Sequence, residues 1–361
     1  MSDALNSRIS QSASPELREH PFIFNGRTST YFGIWIVNVL LSIITIGIYS
    51  AWAKVRRLRY FYQNTTLDGY HFDYHAEPFK ILIGRLIVVG ALILYNILVA
   101  ISPFFIILLI GYIFLLPVII NASLSFSLRM TSFRDIRFGF RGDYWPAFAI
   151  YILLPVAVLL TGGLALPFFT KASWRYIGSR VRYGAIRAEI APPLGAITAQ
   201  FGLSILVLIL AMIPLTALPM WFHHSMADEM MDEMSDGMSS FSAWHWLFVS
   251  LYFGLIIASI FYRTGTRNVA LSTLVFDRRH RVHSFIGRGA MIWITLSNLV
   301  AILLTFGLAW PWAEVRRWRY QAAHLALLSQ GPLDNISGMS GAAGDVTAAE
   351  FVDIEGFDFG L

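Results

Sequence analysis

Four stretches of this chain, residues 81–101, 103–121, 194–220 and 244–262, run for about 20 residues each with almost no charge. A helix needs roughly 20 apolar residues to cross a hydrocarbon core about 30 Å thick, and few soluble folds can hide runs of that kind. Four transmembrane helices are therefore the firm minimum. Composition agrees: 56% of the 361 residues are hydrophobic and 14% are charged, against an apolar share of about 45–50% in soluble domains. The first 20 residues are polar and lack an apolar core with a small-residue cleavage site. No signal peptide is expected, and insertion should begin at an internal apolar segment. There is no cysteine, which removes disulfides, thiolate nucleophiles and cysteine-ligated metals. The net charge of +5 reads first as a report of orientation, because basic residues gather on the cytoplasmic side of membrane proteins.

A unit recurs three times. Residues 45–60 (TIGIYSAWAKVRRLRY) and 305–320 (TFGLAWPWAEVRRWRY) share Thr, Gly, Trp, Ala, Val, three Arg and Tyr at one offset, and residues 161–176 (TGGLALPFFTKASWRY) keep Thr161, Gly163, Arg175 and Tyr176. A Phe/Gly/Arg signature precedes each: Phe24-Asn25-Gly26-Arg27, Phe140-Arg141-Gly142 and Phe285-Ile286-Gly287-Arg288. Asn121, Leu124 and Ser125 recur at a fixed offset as Asn268, Leu271 and Ser272. The expected organisation is a polar tail at 1–20, a repeat-built membrane domain at 21–330 and a flexible acidic tail at 331–361. Units lie near 24–60, 138–176 and 285–320, separated by helical hairpins near 79–121 and 194–262. The fold class expected is all-α, a polytopic helical membrane protein with internal repeats.

Each unit carries about 20 apolar residues and could cross the bilayer, making seven spans, or dip in and return. Seven spans scatter the basic clusters over both faces. Dipping units put Lys54–Arg59, Arg129–Arg141, Lys171–Arg187, Arg263–Arg288 and Arg316–Arg319 on one face, which the enrichment of basic residues in cytoplasmic loops favours. Loop 221–243, with five acidic residues and no Lys or Arg, then faces the periplasm. Gly47, Gly163 and Gly307, with Pro167 and Pro311 beyond, supply breaks in the units.

The breaks make Thr45, Gly47, Thr161, Gly163, Thr305 and Gly307 candidates for lining a polar cavity; the plainer role is hydrogen bonding within broken helices, shared with Asn38 and Asn298. Arg56, Arg57, Arg59, Arg316, Arg317 and Arg319 alternate with Trp and Tyr, a pattern that suits anionic lipid headgroups or simple anchoring at the interface. Nucleic acid is not expected, since spans interrupt the basic clusters. As a short strand, residues 68–75 would set Asp73 between His71 and His75, a metal-ligand geometry, but a solvated turn is the favoured reading, since one copy alone has the pattern and no second cluster completes a site. His223, His224, Met226 and Met230 could hold a soft metal or form the apolar face of a helix. No Ser/His/Asp arrangement, phosphate loop or carboxylate pair suggests catalysis, and no cofactor is expected. The acidic, aromatic end from Glu350 to Leu361 could dock on the basic face or on an unidentified protein partner.

The residues Phe24-x-Gly26, Thr45-x-Gly47-Ile48-Tyr49-x-x-Trp52, Arg56-Arg57-x-Arg59-Tyr60, Thr66-x-Asp68-Gly69 and Arg137-Phe138 together resemble the YjgN-like family of bacterial inner-membrane proteins. The resemblance covers nearly all of 20–361 and implies a multi-pass inner-membrane location with no established activity. Two functions are expected to compete: movement or binding of a small solute or lipid without catalysis, and a scaffold recruiting lipid or protein through its basic face and tail.

Overall fold

The computed structural model describes residues 17–230, 235–277 and 279–330, with side chains throughout except at 17, 219, 222–230 and 235–244. β1 (Leu17–Phe24) leads into α1 (Thr28–Ile44) and α2 (Ser50–Gln63), the first unit; β2 (Thr65–Leu67) and β3 (Tyr70–Tyr74) follow. Next come α3 (Pro78–Ile101), a 3-10 turn (Pro103–Ile107) and α4 (Leu108–Met130), then β4 (Thr131–Phe133) and β5 (Ile136–Phe140). The second unit comprises α5 (Tyr144–Phe148), a π turn (Ala149–Leu153), α6 (Leu154–Leu160) and α7 (Leu166–Gly178). β6 (Val181–Tyr183) and β7 (Ile186–Glu189) precede α8 (Leu194–Met230) and α9 (Ser235–Leu271), which are followed by β8 (Val275–Phe276) and β9 (His280–Ser284). The third unit is α10 (Arg288–Leu304) and α11 (Trp310–Ala323), and β10 (Leu325–Gln330) ends the described chain.

Four helical segments are long and apolar enough to cross a membrane, Pro78–Ile101, Pro103–Met130, Leu194–Leu218 and His245–Leu271. The expectation of an all-α fold, however, is wrong. The ten strands close into one antiparallel barrel in the order β1-β10-β9-β8-β7-β6-β5-β4-β3-β2. Each strand is two to eight residues long, too short for period-2 alternation to stand out between apolar helices. The alternation is nevertheless there. Phe22, Leu67, Phe72, Phe133, Phe138 and Tyr183 point inward and pack on one another, with Phe72 and Phe133 stacked at 4.7 Å, while Arg137, Arg187 and Arg281 stay exposed. Burial in this filling pushes the Tyr183 hydroxyl up to about 12, against the opposing field of Arg134. That hydroxyl donates to the Phe133 carbonyl at 2.9 Å.

Tight turns join the strands pairwise. Asp68-Gly69 closes β2–β3 with both φ angles positive, at 53° and 79°, and Arg134-Asp135 closes β4–β5 at 50° and 62°, the left-handed pair that matches strand twist in two-residue hairpins. Register places Phe24 opposite Thr65, Tyr74 opposite Thr131, Phe140 opposite Val181, Glu189 opposite Val275 and Ser284 opposite Leu325. Neighbouring strands alternate in direction, so these five pairs lie on one rim. All five helical pairs, the three units and the two long hairpins, therefore leave and return at the same rim. The strand-to-strand turns and the Leu17–Gln330 pair occupy the other.

Candidate functional site at the barrel mouth

The three units share one turn and one brace. At each turn a threonine hydroxyl donates one helical turn back and accepts an amide one turn ahead: Thr45 to Leu41 O at 2.7 Å and from Tyr49 N at 2.9 Å, Thr161 to Ala157 O and from Ala165 N, Thr305 to Ala301 O and from Ala309 N. Gly47, Gly163 and Gly307 take φ of 87°, 96° and 92°, each preceded by another left-handed residue, Ile46, Gly162 or Phe306. A bulky side chain in that region is strained by about 1–3 kcal/mol. Ile46 and Phe306 accept the strain while standing 94% and 98% exposed. Pro167 and Pro311 fall in the first turn of α7 and α11, where a missing N–H leaves no bond unmade.

The terminal tyrosine of each unit closes it. Tyr60 OH receives Arg27 N and donates to Arg27 O, both at 2.7 Å; Tyr176 OH donates to Asp143 O at 3.0 Å; Tyr320 OH receives Gly287 N at 3.1 Å. Arg27, Asp143 and Gly287 stand immediately before α1, α5 and α10, so the hydroxyl ties the end of one helix to the beginning of its partner. The glycine of the preceding signature gives the tyrosine room: a Cβ on Gly142 would stand 2.2 Å from Asn121 Oδ1 and 2.7 Å from Tyr176 OH.

The candidate cavity residues thus sit at three separate tips, their hydroxyls bonded to their own turns, with nothing within 4 Å of a Cβ on Gly47, Gly163 or Gly307. Asn298 accepts Arg316 at 2.9 Å and donates to Ala313 O; Asn38 is equally buried. Of the six arginines singled out, Arg57 pairs with Glu314 at 2.8 Å, Arg316 bonds Ser297 and Asn298, and Arg319 bonds Gly26 O. Arg56 reaches Tyr49 OH and Arg59 reaches Tyr74 O. Arg56, Arg59, Arg317 and Arg319 remain exposed at the rim. His71 and Asp73 face outward on β3, and His75 bonds Ser132 at 2.7 Å; among the described residues no three His, Cys, Asp or Glu side chains approach as metal ligands would. The side chains of His223, His224, Met226 and Met230, and the tail from 331, lie outside the described residues.

What the residue pattern did not single out is where chemistry gathers. Because β1 pairs with β10, the first and third units stand side by side at the mouth of the barrel. Glu314 of α11, buried, accepts Tyr31 OH of α1 at 2.6 Å and forms an ion pair with Arg57 of α2. Trp318 donates to Thr65 at 3.0 Å and packs on Phe61 at 4.9 Å. Beside this latch is a cavity of about 160 Å³ whose lining includes Tyr62, Trp318, Gln321 and Arg267. Two sequence signals pointed there. Glu314 stands where the first unit has Lys54, and Arg267 stands, one residue before Asn268, where the matching segment has Ile120 before Asn121.

Comparison with known proteins gives a consistent picture. No solved structure matches the chain. The inner membrane protein YjgN of Salmonella typhimurium is 27% identical over a 379-residue alignment that covers 90% of this chain and 92% of the relative. Its namesake in Escherichia coli O157:H7 is 30% identical over 172 residues, 45% of this chain and 41% of the relative. Four apolar helices of membrane-crossing length fit relatives of that name. The model of the family described as bacterial protein of unknown function (DUF898) matches residues 19–354, and the chain belongs to that family.

Proposed function

We propose that this protein is a multi-pass inner-membrane binding protein, which holds the mouth of a cytoplasmic β-barrel against the bilayer to receive a small solute or lipid. The observation that carries the reading is the single rim from which all five helical pairs leave. If α3–α4 and α8–α9 cross the bilayer, the barrel lies on one side and every unit must enter and return on that side. Arg56 and Arg316 each lie nine residues past the turn glycine, about 13 Å along a helix. With those cations at headgroup level, the tips reach about half of a 30 Å core, and exposed Ile46 and Phe306 meet lipid. The basic rim and the acidic, cation-free segment 221–243 at the far end of the α8–α9 pair support a cytoplasmic barrel. Exposed Arg56, Arg59, Arg317 and Arg319 are placed to meet anionic lipid headgroups. A barrel filled with aromatic side chains favours binding at its mouth over conduction through it.

Single cysteines in this cysteine-free chain test the placement. A membrane-impermeant maleimide should modify Tyr70→Cys and Asp135→Cys only after the cells are opened. It should modify Ala227→Cys in intact spheroplasts and leave Ile46→Cys and Phe306→Cys unmodified from either face. Periplasmic labelling of Ile46→Cys or Phe306→Cys would show spanning units and overturn the reading.

A further inference from the structure

The cavity beside the Arg57–Glu314 latch lies between the barrel filling and the ends of α2, α9 and α11. Its walls are largely aromatic, Phe22, Tyr62, Phe72 and Trp318, with Gln321 as an amide donor and Arg267 as the one charged group in the lining. Arg267 is 7% exposed. Among the described residues its Nε has no hydrogen-bond partner and its guanidinium no ion pair. The charged neighbour whose field reaches it is Arg317, a second cation. A guanidinium taken out of water without an acceptor is costly, because it loses hydration and nothing answers its charge. The site as it stands lacks one negative charge and acceptors for a forked donor.

The complementary group is a carboxylate, whose two oxygens match the guanidinium fork. One buried cation calls for one negative charge, which suits a carboxylate better than a phosphate dianion. The remaining space sets the body of the ligand, since an apolar cavity of about 150 Å³ takes up benzene. We infer that the barrel mouth binds a monoanionic organic acid, with its carboxylate on Arg267 and Gln321 and a compact apolar body against Phe72 and Trp318. The acid can arrive from water as an aromatic carboxylate or from the bilayer as the head of a fatty acid, because the chemistry recognised is the same. The inference rests on the ligand site proposed above, but not on membrane orientation, so binding to purified protein can fail while the labelling pattern holds, and the reverse.

The test is calorimetric titration of the full chain in nanodiscs with benzoate, decanoate and the neutral isostere benzamide. Benzoate or decanoate should bind at least tenfold more tightly than benzamide. Arg267→Met should abolish that preference, and Arg267→Lys should restore part of it. The tighter of the two acids identifies the source, decanoate the bilayer and benzoate the aqueous phase. Equal affinity for benzoate, decanoate and benzamide, an acid preference that survives Arg267→Met, or inorganic phosphate binding more tightly than either acid would each overturn the inference. If Arg267→Met fails to fold, the comparison of acids with benzamide and phosphate on the unaltered chain still decides.

Discussion

The first and third units are joined to each other by a buried carboxylate, whereas the second bonds to the long helices on either side. The same position along each unit shows the difference: Lys54 in the first, Thr170 in the second, Glu314 in the third. Glu314 reaches across to Arg57 and Tyr31 of the first unit. Thr170 instead accepts Tyr262 OH from α9 at 2.8 Å, and Asn121 of α4 braces Tyr176. Barrel order explains this, because closure of β1 on β10 leaves no long hairpin between the first and third units, while both long hairpins flank the second. One scaffold geometry thus yields a charged seam, the ion pair where the first and third units meet, and a neutral seam, the hydrogen bonds where the second meets α4 and α9. The cavity with the buried Arg267 guanidinium opens beside the ion pair.

The sharpest way to probe the neutral seam is Gly142→Ala. Its Cβ would meet Asn121 Oδ1 and Tyr176 OH, so the brace must open at about 3 kcal/mol, the upper end for overpacking. Gly289→Ala in the third unit, with nothing within 4 Å, should leave the thermal midpoint of the detergent-solubilised protein unchanged. Next is the charged seam. Glu314→Ala should cost about 2 kcal/mol, below the roughly 3–5 of a fully buried pair, because Arg57 is 38% exposed and can rehydrate. Thr170→Val, which loses one neutral hydrogen bond, should cost about 1 kcal/mol. Equal losses from the two variants in chemical denaturation would erase the distinction between the seams.

The braces rank below the charged seam. Tyr60→Phe, which leaves both Arg27 N and Arg27 O without their partner, should cost about 1–2 kcal/mol, and Tyr320→Phe, whose bond to Gly287 O is 3.5 Å long, about half that. Smallest is a pH effect in the barrel wall near the third unit. Burial, with help from Arg279 and His20 and against Asp277, holds His280 below its ordinary value. The unfolded chain gains the proton first as pH falls through about 6.5, so stability should decline with acidification through that range. His280→Gln should flatten that part of the curve of thermal midpoint against pH; an unchanged slope would assign the acid sensitivity elsewhere.

The helices were legible and the barrel was not, for one physical reason. A membrane-crossing helix satisfies its own backbone, so its signal is local and about 20 residues long. A barrel strand is satisfied by its neighbour, and β1 finds β10 some 300 residues later. Only the Asp68-Gly69 hairpin carried the usual turn pair together with alternating residues. Arg134-Asp135 adopts the same left-handed turn without glycine, which hid it. The recurring Thr and Tyr are bonded within the turn and the brace of each helical pair. Glu314 and Arg267 were visible only as charges breaking the pattern between corresponding segments.

Closure of the barrel by its first and last strands has a consequence for synthesis. The ribosome releases β1 long before β10 exists, so the earliest strand carries an unsatisfied edge while all five helical pairs are made. The register Leu17↔Gln330 to Pro21↔Ala326 forms only when translation has passed Gln330, and the Arg57–Glu314 contact must await Glu314, 16 residues earlier. A nascent chain stopped before β10 would keep every helix and lose the ring.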